Sequence, residues 1–489
     1  MKKQLLLALA FISCSLSFAQ TMNVNIGDVT YAIPASQAGE MTYTDGTVLT
    51  IGSKTYPISA ITNITIDDSS VTDNTVDVTY SDNTAKVRIA GNIAQYIDAQ
   101  VNGGHVTIAA APTLASDVTY YMSGNSANGS FYMTGDYKMN MVLNGLTLAN
   151  PDSAAINIQN GKQINVVLAD GTSNSLADGL RTADDDSDGH KAVFYVEGHT
   201  SWTGGGSLTI TGNVKHGFFS DEYTELLNGL GSITVTQAPS DGLHVNQYFR
   251  MQGGTVAITC TGDGIDVGAK KSEKENNGEI MIERGTLTVN TSGNATKGLK
   301  CDTNMSISGG TNTINTTGSA IYESAENDLS SCAALKCDGV LTISGGTNWF
   351  ASTGDGGKGI NSTGVITVSG GTTTVVTTGS VFEYGTLDTK PHAVKSDANI
   401  VLSGGSILAC ASSDSGTAFK TDLQVLTNGA TLMGVGGKAT TGATSSSCTS
   451  YKYSGVNVTG GSTLSYNNVS FTIPSIYNNS SAKVIVSRK

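Results

Sequence analysis

Ser308-Gly309-Gly310-Thr311 recurs as Ser344-Gly345-Gly346-Thr347, Ser369-Gly370-Gly371-Thr372 and Ser403-Gly404-Gly405-Ser406, each copy preceded by an apolar alternation. Looser copies stand earlier, at Leu143-Asn144-Gly145, Gly205-Gly206-Ser207 and Gly253-Gly254-Thr255. Taking the last Gly of each, with Gly205 standing for its pair and the weaker Gly171, Gly231, Gly285 and Gly429 added, the steps are 26, 34, 26, 23, 31, 25, 36, 25, 34 and 24 residues. A base period with excursions is the signature of a solenoid.

A second element recurs inside each period: His216-Gly217-Phe218-Phe219-Ser220-Asp221, Asp241-Gly242-Leu243-His244-Val245-Asn246, Asp263-Gly264-Ile265-Asp266-Val267, Lys297-Gly298-Leu299-Lys300-Cys301-Asp302, Ala334-Leu335-Lys336-Cys337-Asp338, Lys358-Gly359-Ile360-Asn361-Ser362, His392-Ala393-Val394-Lys395-Ser396-Asp397 and Thr417-Ala418-Phe419-Lys420-Thr421-Asp422. Side chains of a strand alternate between faces, so the apolar and small positions point inward and the polar residue between them points out. Phe218, Leu243, Ile265, Leu299, Leu335, Ile360, Val394 and Phe419 then form one inward column. Ser220, Val245, Val267, Cys301, Cys337, Ser362, Ser396 and Thr421 form its neighbour. Asp221, Asn246, Asp302, Asp338, Asp397 and Asp422 fall at the following turn, where Asp and Asn tolerate left-handed backbone and bond nearby amides.

Each period supplies three short strands: one before the Gly pair, one after it, and the one just quoted. Helical periodicity is absent. Strands that return to one place every ~25 residues pair in parallel with their copies, ~4.8 Å apart. The expected fold is all-β, a right-handed parallel β-helix of about ten coils over residues 116–438, preceded by a small N-terminal β-domain and lead-in over 20–115. The Ser/Thr-rich segment 439–489 is expected to cap the far end. Four inserts, Ala183 to Gly189, Ala269 to Asn277, Ile321 to Ser331 and Val381 to Pro391, read as surface loops. They recur about every second coil rather than crowding each other.

The chain of 489 residues carries 59 Gly, 14% charged residues and a net charge of −13. Excess carboxylate argues against nucleic acid as partner and leaves neutral polymers, cations or basic surfaces open. Lys2 and Lys3, the apolar run Leu5 to Ile12 and the small-x-small Ser17-Phe18-Ala19 read as an export signal cleaved after Ala19. Cys14 as a lipid-modified N-terminus is the rival reading. Without residues 1–19 the chain has 25 basic and 40 acidic side chains, so its acidity does not come from the signal. No later apolar run reaches the ~18 residues of a membrane helix. The expected location is periplasm, cell surface or outside the cell.

Asp184-Asp185-Asp186-Ser187-Asp188-Gly189 sets Asp184, Asp186 and Asp188 at alternate positions before a Gly, the hard oxygen donors of a calcium loop. Tyr195 holds the twelfth position in place of Glu, and a solvated acidic loop is the other reading. Asp241 and Asp263 share one repeat position on neighbouring coils, with Asp266 close by. Their stacked carboxylates need a cation, a shared proton or divergent rotamers, and a second calcium site competes with turn-capping aspartates. Lys300, Lys336, Lys395 and Lys420 share the outward position, interrupted by Asn361, with His244 and Asp266 at its start. The stripe either receives carboxylates of a uronic-acid polymer or solvates a sheet face. Cys301 and Cys337 are in register, at a separation a disulfide accepts, or are inward thiols acting as small apolar fillers.

The segment from Tyr137 to Asn174, with Val142-Leu143-Asn144-Gly145-Leu146-Thr147-Leu148 and Ala155-Ile156-Asn157-Ile158, then Asn174-Ser175-Leu176-Ala177-Asp178-Gly179, resembles the bacterial carbohydrate-binding β-helix family related in fold to pectate lyases. The repeated Gly-Gly-Thr and Asp-Gly-Ile segments through Gly429 fit the same family, over about 300 residues. The resemblance implies a right-handed parallel β-helix, bound calcium and polysaccharide binding, acidic pectic polymers included, without demonstrated cleavage as the defining role, with Asp178, Asp241 and Asp263 in matching motifs. Tyr322, Tyr384 and Trp202 are the aromatic candidates for stacking on sugars, with buried packing the alternative for Trp202. The Arg or Lys base beside calcium that a lyase of this fold uses, and the clustered aspartates with His and Arg-x-Lys of a polygalacturonase, are not found. The expected function is calcium-dependent, non-catalytic binding of an acidic or plant cell-wall polysaccharide. A lyase or hydrolase of such polymers, and a surface adhesin, are the alternatives.

Overall fold

The structure, a computed structural model, describes residues 20–179, 191–440, 443–444 and 448–488. The signal segment 1–19 and the loop carrying Asp184, Asp186 and Asp188 lie outside the described residues. The fold is all-β: the helical elements among the described residues are the short segments Ala35–Ala38 and Gly91–Ile93.

Three parallel ladders run along the chain, one for each strand of the repeat. The first contains Thr200–Thr203, Thr224–Leu226, Tyr248–Met251 and Glu279–Ile282, each paired in parallel with the next. The second contains Ser207–Thr211, Ser232–Gln237, Thr255–Cys260 and Thr286–Thr291. The third is a thirteen-stranded sheet that includes His216–Ser220, Leu243–Asn246, Ile265–Gly268 and Lys297–Cys301. The register of the third ladder is the one expected, with Phe218, Leu243, Ile265, Leu299, Leu335, Ile360, Val394 and Phe419 in one line.

All eight of those residues are buried. Their side chains meet those of the other ladders: Phe194 and Phe218 of the third pack against Trp202 of the first at 5.5 and 5.4 Å between ring centroids. One apolar core continues in this way from Met22 to Ile485. At about 1.5–3 kcal/mol for each large aliphatic or aromatic side chain removed from water, the core is the main force holding the ladders together.

The Gly pairs have a steric cause. A Cβ on Gly345 would lie 2.2 Å from the carbonyl oxygen of Ser308 on the preceding rung, and Gly346 has φ +82°. The first Gly allows close stacking of turns and the second a left-handed backbone.

Further strands extend the ladders at the N-terminal end and the second ladder at the far end. Thr75–Ser81 pairs in parallel with Val118–Ser126, and Gly104–Ala110 with Gly129–Thr134, so the N-terminal strands lead directly into the ladders. At the far end Asn479–Arg488 pairs antiparallel with Thr431–Gly436 and with Thr449–Val458, which covers a strand edge that would otherwise stand open. No helix of the described residues is long and apolar enough to cross a membrane.

The inserts do not stay apart as expected. Ile321–Glu323 with Asp328–Ser330, and Phe382–Tyr384 with Leu387–Thr389, form two antiparallel hairpins. They rise from the same point of the repeat on alternate rungs, yet lean together and touch. A separation of two rungs, ~10 Å, is short enough for side chains to close.

Candidate functional site

On the solvent side of the third ladder one column reads Tyr132, Asn157, Tyr195, Phe219, His244, Asp266, Lys300, Lys336, Asn361, Lys395 and Lys420, each in register with the next. Its middle is aromatic: Tyr195 stacks on Phe219 at 5.3 Å, and Phe219 on His244 at 5.0 Å. Lys191 Nζ lies 5.7 and 5.2 Å from the Tyr195 and Phe219 rings. Each ring covers the face of its neighbour, and Tyr195 and Phe219 are buried, so this stack braces the sheet. The sequence reading missed it because Phe219 follows the inward Phe218 and the doublet looks like core.

The lysine stripe is in register as expected, but it is not a row of free cations. Lys336 pairs with Asp338, Lys395 with Asp397 at 2.7 Å, and Lys420 with Asp422. These aspartates belong to the turn column, and their carboxylates face the lysine two residues back. Such half-exposed pairs contribute only ~0–1 kcal/mol each, so a ligand carboxylate can compete for the ammonium groups.

Lys300 differs, lying 3.1 Å from Asp266 Oδ1 and 3.6 Å from Asp263 Oδ2. Burial opposes its charge, but the two carboxylates hold its ammonium up to about 12. Asp263 Oδ1 accepts the Lys297 amide at 2.7 Å, and burial followed by the nearby Asp241 charge pushes the Asp263 carboxyl up to about 6. Asp241 Oδ1 accepts the Asp263 amide at 2.9 Å, while Oδ2 lies 3.1 Å from His216 Nδ1 and 3.0 Å from His244 Nδ1. Burial would raise the Asp241 carboxyl, but the two imidazoles beside it hold it well below the usual range; His244 Nδ1 bonds Oδ2, while His216 Nδ1 accepts the Asp241 backbone amide at 3.3 Å.

These contacts do not fit calcium at Asp241, Asp263 and Asp266. Calcium takes six to eight oxygen ligands. Here one oxygen of each of Asp241 and Asp263 caps an amide, Lys300 occupies the cationic position, and two nitrogens point at Asp241. His216 was not singled out from the sequence, although it holds the same repeat position as Asp241 one rung earlier.

Tyr322 and Tyr384 sit on the two hairpins, and their rings stack at 4.1 Å with an interplanar angle of 10°. Tyr384 is 52% exposed. Beneath the hairpins Lys358 is buried, with no carboxylate in reach of an ion pair among the described residues; its Nζ donates to Gly356 O at 2.6 Å and Thr389 Oγ1 at 2.7 Å. Burial, with the nearby charges of Lys395 and Lys390, pulls its ammonium down to about 7.

Asp178 is buried and its Oδ1 accepts the Asn213 amide at 2.6 Å, so this oxygen holds a turn. Trp202 is core, with its indole N–H donating to Thr200 Oγ1. Cys301 and Cys337 are adjacent, buried and free. An open groove of about 690 Å³ near the N-terminal strands, lined by Asp77, Lys86, Arg88, Tyr121, Ser123 and Asn144 among others, was not anticipated. Its residues come from strands far apart in sequence, and the outward Tyr121 was the one local hint.

A family model described as carbohydrate-binding domain-containing protein matches residues 111–381. Among solved structures, that of the polysaccharide lyase-like protein from C. thermocellum, gadolinium derivative, is similar over 55% of this chain and 96% of that one, with 22% identity and a TM-score of 0.43. No curated protein matches. The matched segment covers more than half of the chain, and the protein belongs to the family of carbohydrate-binding domain-containing proteins.

Proposed function

We propose that the protein is an exported, non-catalytic binder of an acidic polysaccharide, built as a right-handed parallel β-helix of about ten coils. The observation that carries this reading is the in-register row Lys300, Lys336, Asn361, Lys395 and Lys420, next to the repeat position from which the Tyr322 and Tyr384 hairpins rise. A rung-by-rung row of ammonium groups matches successive charges of an extended polymer better than it focuses on one bond. An exposed tyrosine ring adds an apolar face for a sugar. Calcium belongs in this reading to Asp184, Asp186 and Asp188, on the strength of their alternation in sequence.

Retention on immobilised polygalacturonate, measured against salt, tests the proposal. Lys336→Ala and Lys395→Ala should each weaken retention and flatten its salt dependence, while the wild type releases neither unsaturated product nor reducing ends. Product formed by the wild type and lost in either variant would establish a lyase or hydrolase instead. A glycan array with and without chelator separates the calcium expectation from the binding one.

A further inference from the structure

The geometry points to a binding site for a zinc-class divalent cation formed by His216, Asp241 and His244, with Asp266 as fourth ligand. The donor atoms of His216, Asp241 and His244 all lie within 4.8 Å of one another. Asp241 Oδ2 stands 3.1 and 3.0 Å from the two Nδ1 atoms, and Asp266 Oδ2 stands 3.7 Å from His244 Nδ1. In a tetrahedral zinc site with bonds of ~2.0–2.1 Å, neighbouring ligand atoms are ~3.3 Å apart. Asp241 Oδ2 is within a few tenths of an ångström of that spacing from each histidine, while the two imidazole nitrogens, within 4.8 Å of each other, would close by up to ~1.5 Å through side-chain rotation.

The donor set selects the cation. Two imidazole nitrogens with carboxylate oxygens suit zinc and its transition-metal neighbours, whereas calcium and magnesium require oxygen. The surroundings hold the ligands in place. Asp241 Oδ1 is fixed by the Asp263 amide, the His244 ring lies against Phe219 at an interplanar angle of 7°, and His216 is buried. Such outer contacts orient metal ligands. Each imidazole would bind through Nδ1 and carry its proton on Nε2. The four ligands come from three successive rungs, so the cation would act as a crosslink along the ladder. Lys300, which pairs with Asp266 on the next rung, would give up that contact, and the Asp241 amide, which donates to His216 Nδ1 at 3.3 Å, would lose that acceptor to the cation.

The test uses tag-free protein stripped of metal by chelator, and does not depend on any glycan. Equilibrium dialysis should find about one zinc per chain. Zinc at about a hundred times its dissociation constant should raise the melting temperature by about 2–3 °C in the wild type and not in His244→Ala, whereas the response to calcium, which the Asp184 loop would take, should be the same in both proteins. Cobalt(II) should give the intense visible bands of tetrahedral coordination. His244→Ala, at the more exposed ligand, should abolish all three. If His216→Ala does not fold, the wild-type cobalt spectrum and His244→Ala still decide. Weak octahedral cobalt bands, no uptake, or uptake and thermal shift surviving in His244→Ala would each overturn the proposal.

Discussion

Tyr322 and Tyr384 face each other ring to ring at 4.1 Å, although each belongs to its own two-stranded hairpin. Ser331 Oγ and Thr389 Oγ1 meet at 3.0 Å at the base of the same pair. The stack therefore ties two inserts into one raised platform beside the lysine row. A double-mutant cycle with Tyr322→Ala and Tyr384→Ala should show a coupling of about 0.5–1.5 kcal/mol in unfolding free energy. Either substitution should also weaken glycan retention. Independent effects on stability, or full retention by the double variant, would remove the platform from the binding surface.

The aspartates that neutralise the lysine row make an opposite-sign prediction. Asp338→Asn, Asp397→Asn and Asp422→Asn remove the carboxylates facing Lys336, Lys395 and Lys420. Each ammonium is then free for a ligand charge, and since half-exposed pairs contribute at most ~1 kcal/mol, the gain should be at most about fivefold per site. The triple variant should hold polygalacturonate to higher salt than the wild type. Retention that is unchanged or weaker would mean that the row is a solvated sheet face.

The repeat register was legible in the sequence because the Gly pairs and the apolar-polar-small triplets recur at one spacing, and stacking requires equivalent residues to align. That register placed Lys300 opposite Lys336 and Cys301 opposite Cys337, as the structure does. What it could not provide were contacts that cross between repeat positions. His244 meets Asp241 within its own strand region and His216 from the rung before, so the cluster joins two columns that the alignment keeps apart. The leaning together of the hairpins was hidden for the same reason, since it depends on the shape of inserts that have no repeat.

The steric reading of the Gly pairs predicts an order of damage. A Cβ on Gly145, with φ +74°, would have no atom within 4 Å of it, whereas one on Gly345 would lie 2.2 Å from the Ser308 carbonyl oxygen and one on Gly346 would lie 2.8 Å from that of Gly309. Gly145→Ala should cost only the left-handed strain, about 1–2 kcal/mol. Gly345→Ala and Gly346→Ala should cost more, because backbone of the preceding rung must move. Denaturant unfolding of the three variants checks this, and equal losses would show that the rungs are not stacked so closely.

Lys358 gives the pH prediction. Its ammonium is held down to about 7 by burial in the folded protein, against ~10.4 in an unfolded chain. Below pH 7 both states carry the proton and its contribution is flat. Between pH 7 and 10 the unfolded chain binds more protons than the folded one, so stability rises with pH. The rise from this residue is at most on the order of 4 kcal/mol, since each unit corresponds to ~1.4 kcal/mol. Lys358→Met removes it and leaves Ser331 and Thr389 to bond each other, as they already do at 3.0 Å. The variant should therefore be more stable than the wild type near pH 6, and its advantage should shrink steadily as the pH approaches 10. The other titratable groups are common to both proteins, so the difference between them isolates the lysine. A difference that stays constant from pH 7 to 10 would mean that Lys358 keeps its charge beneath the tyrosine platform.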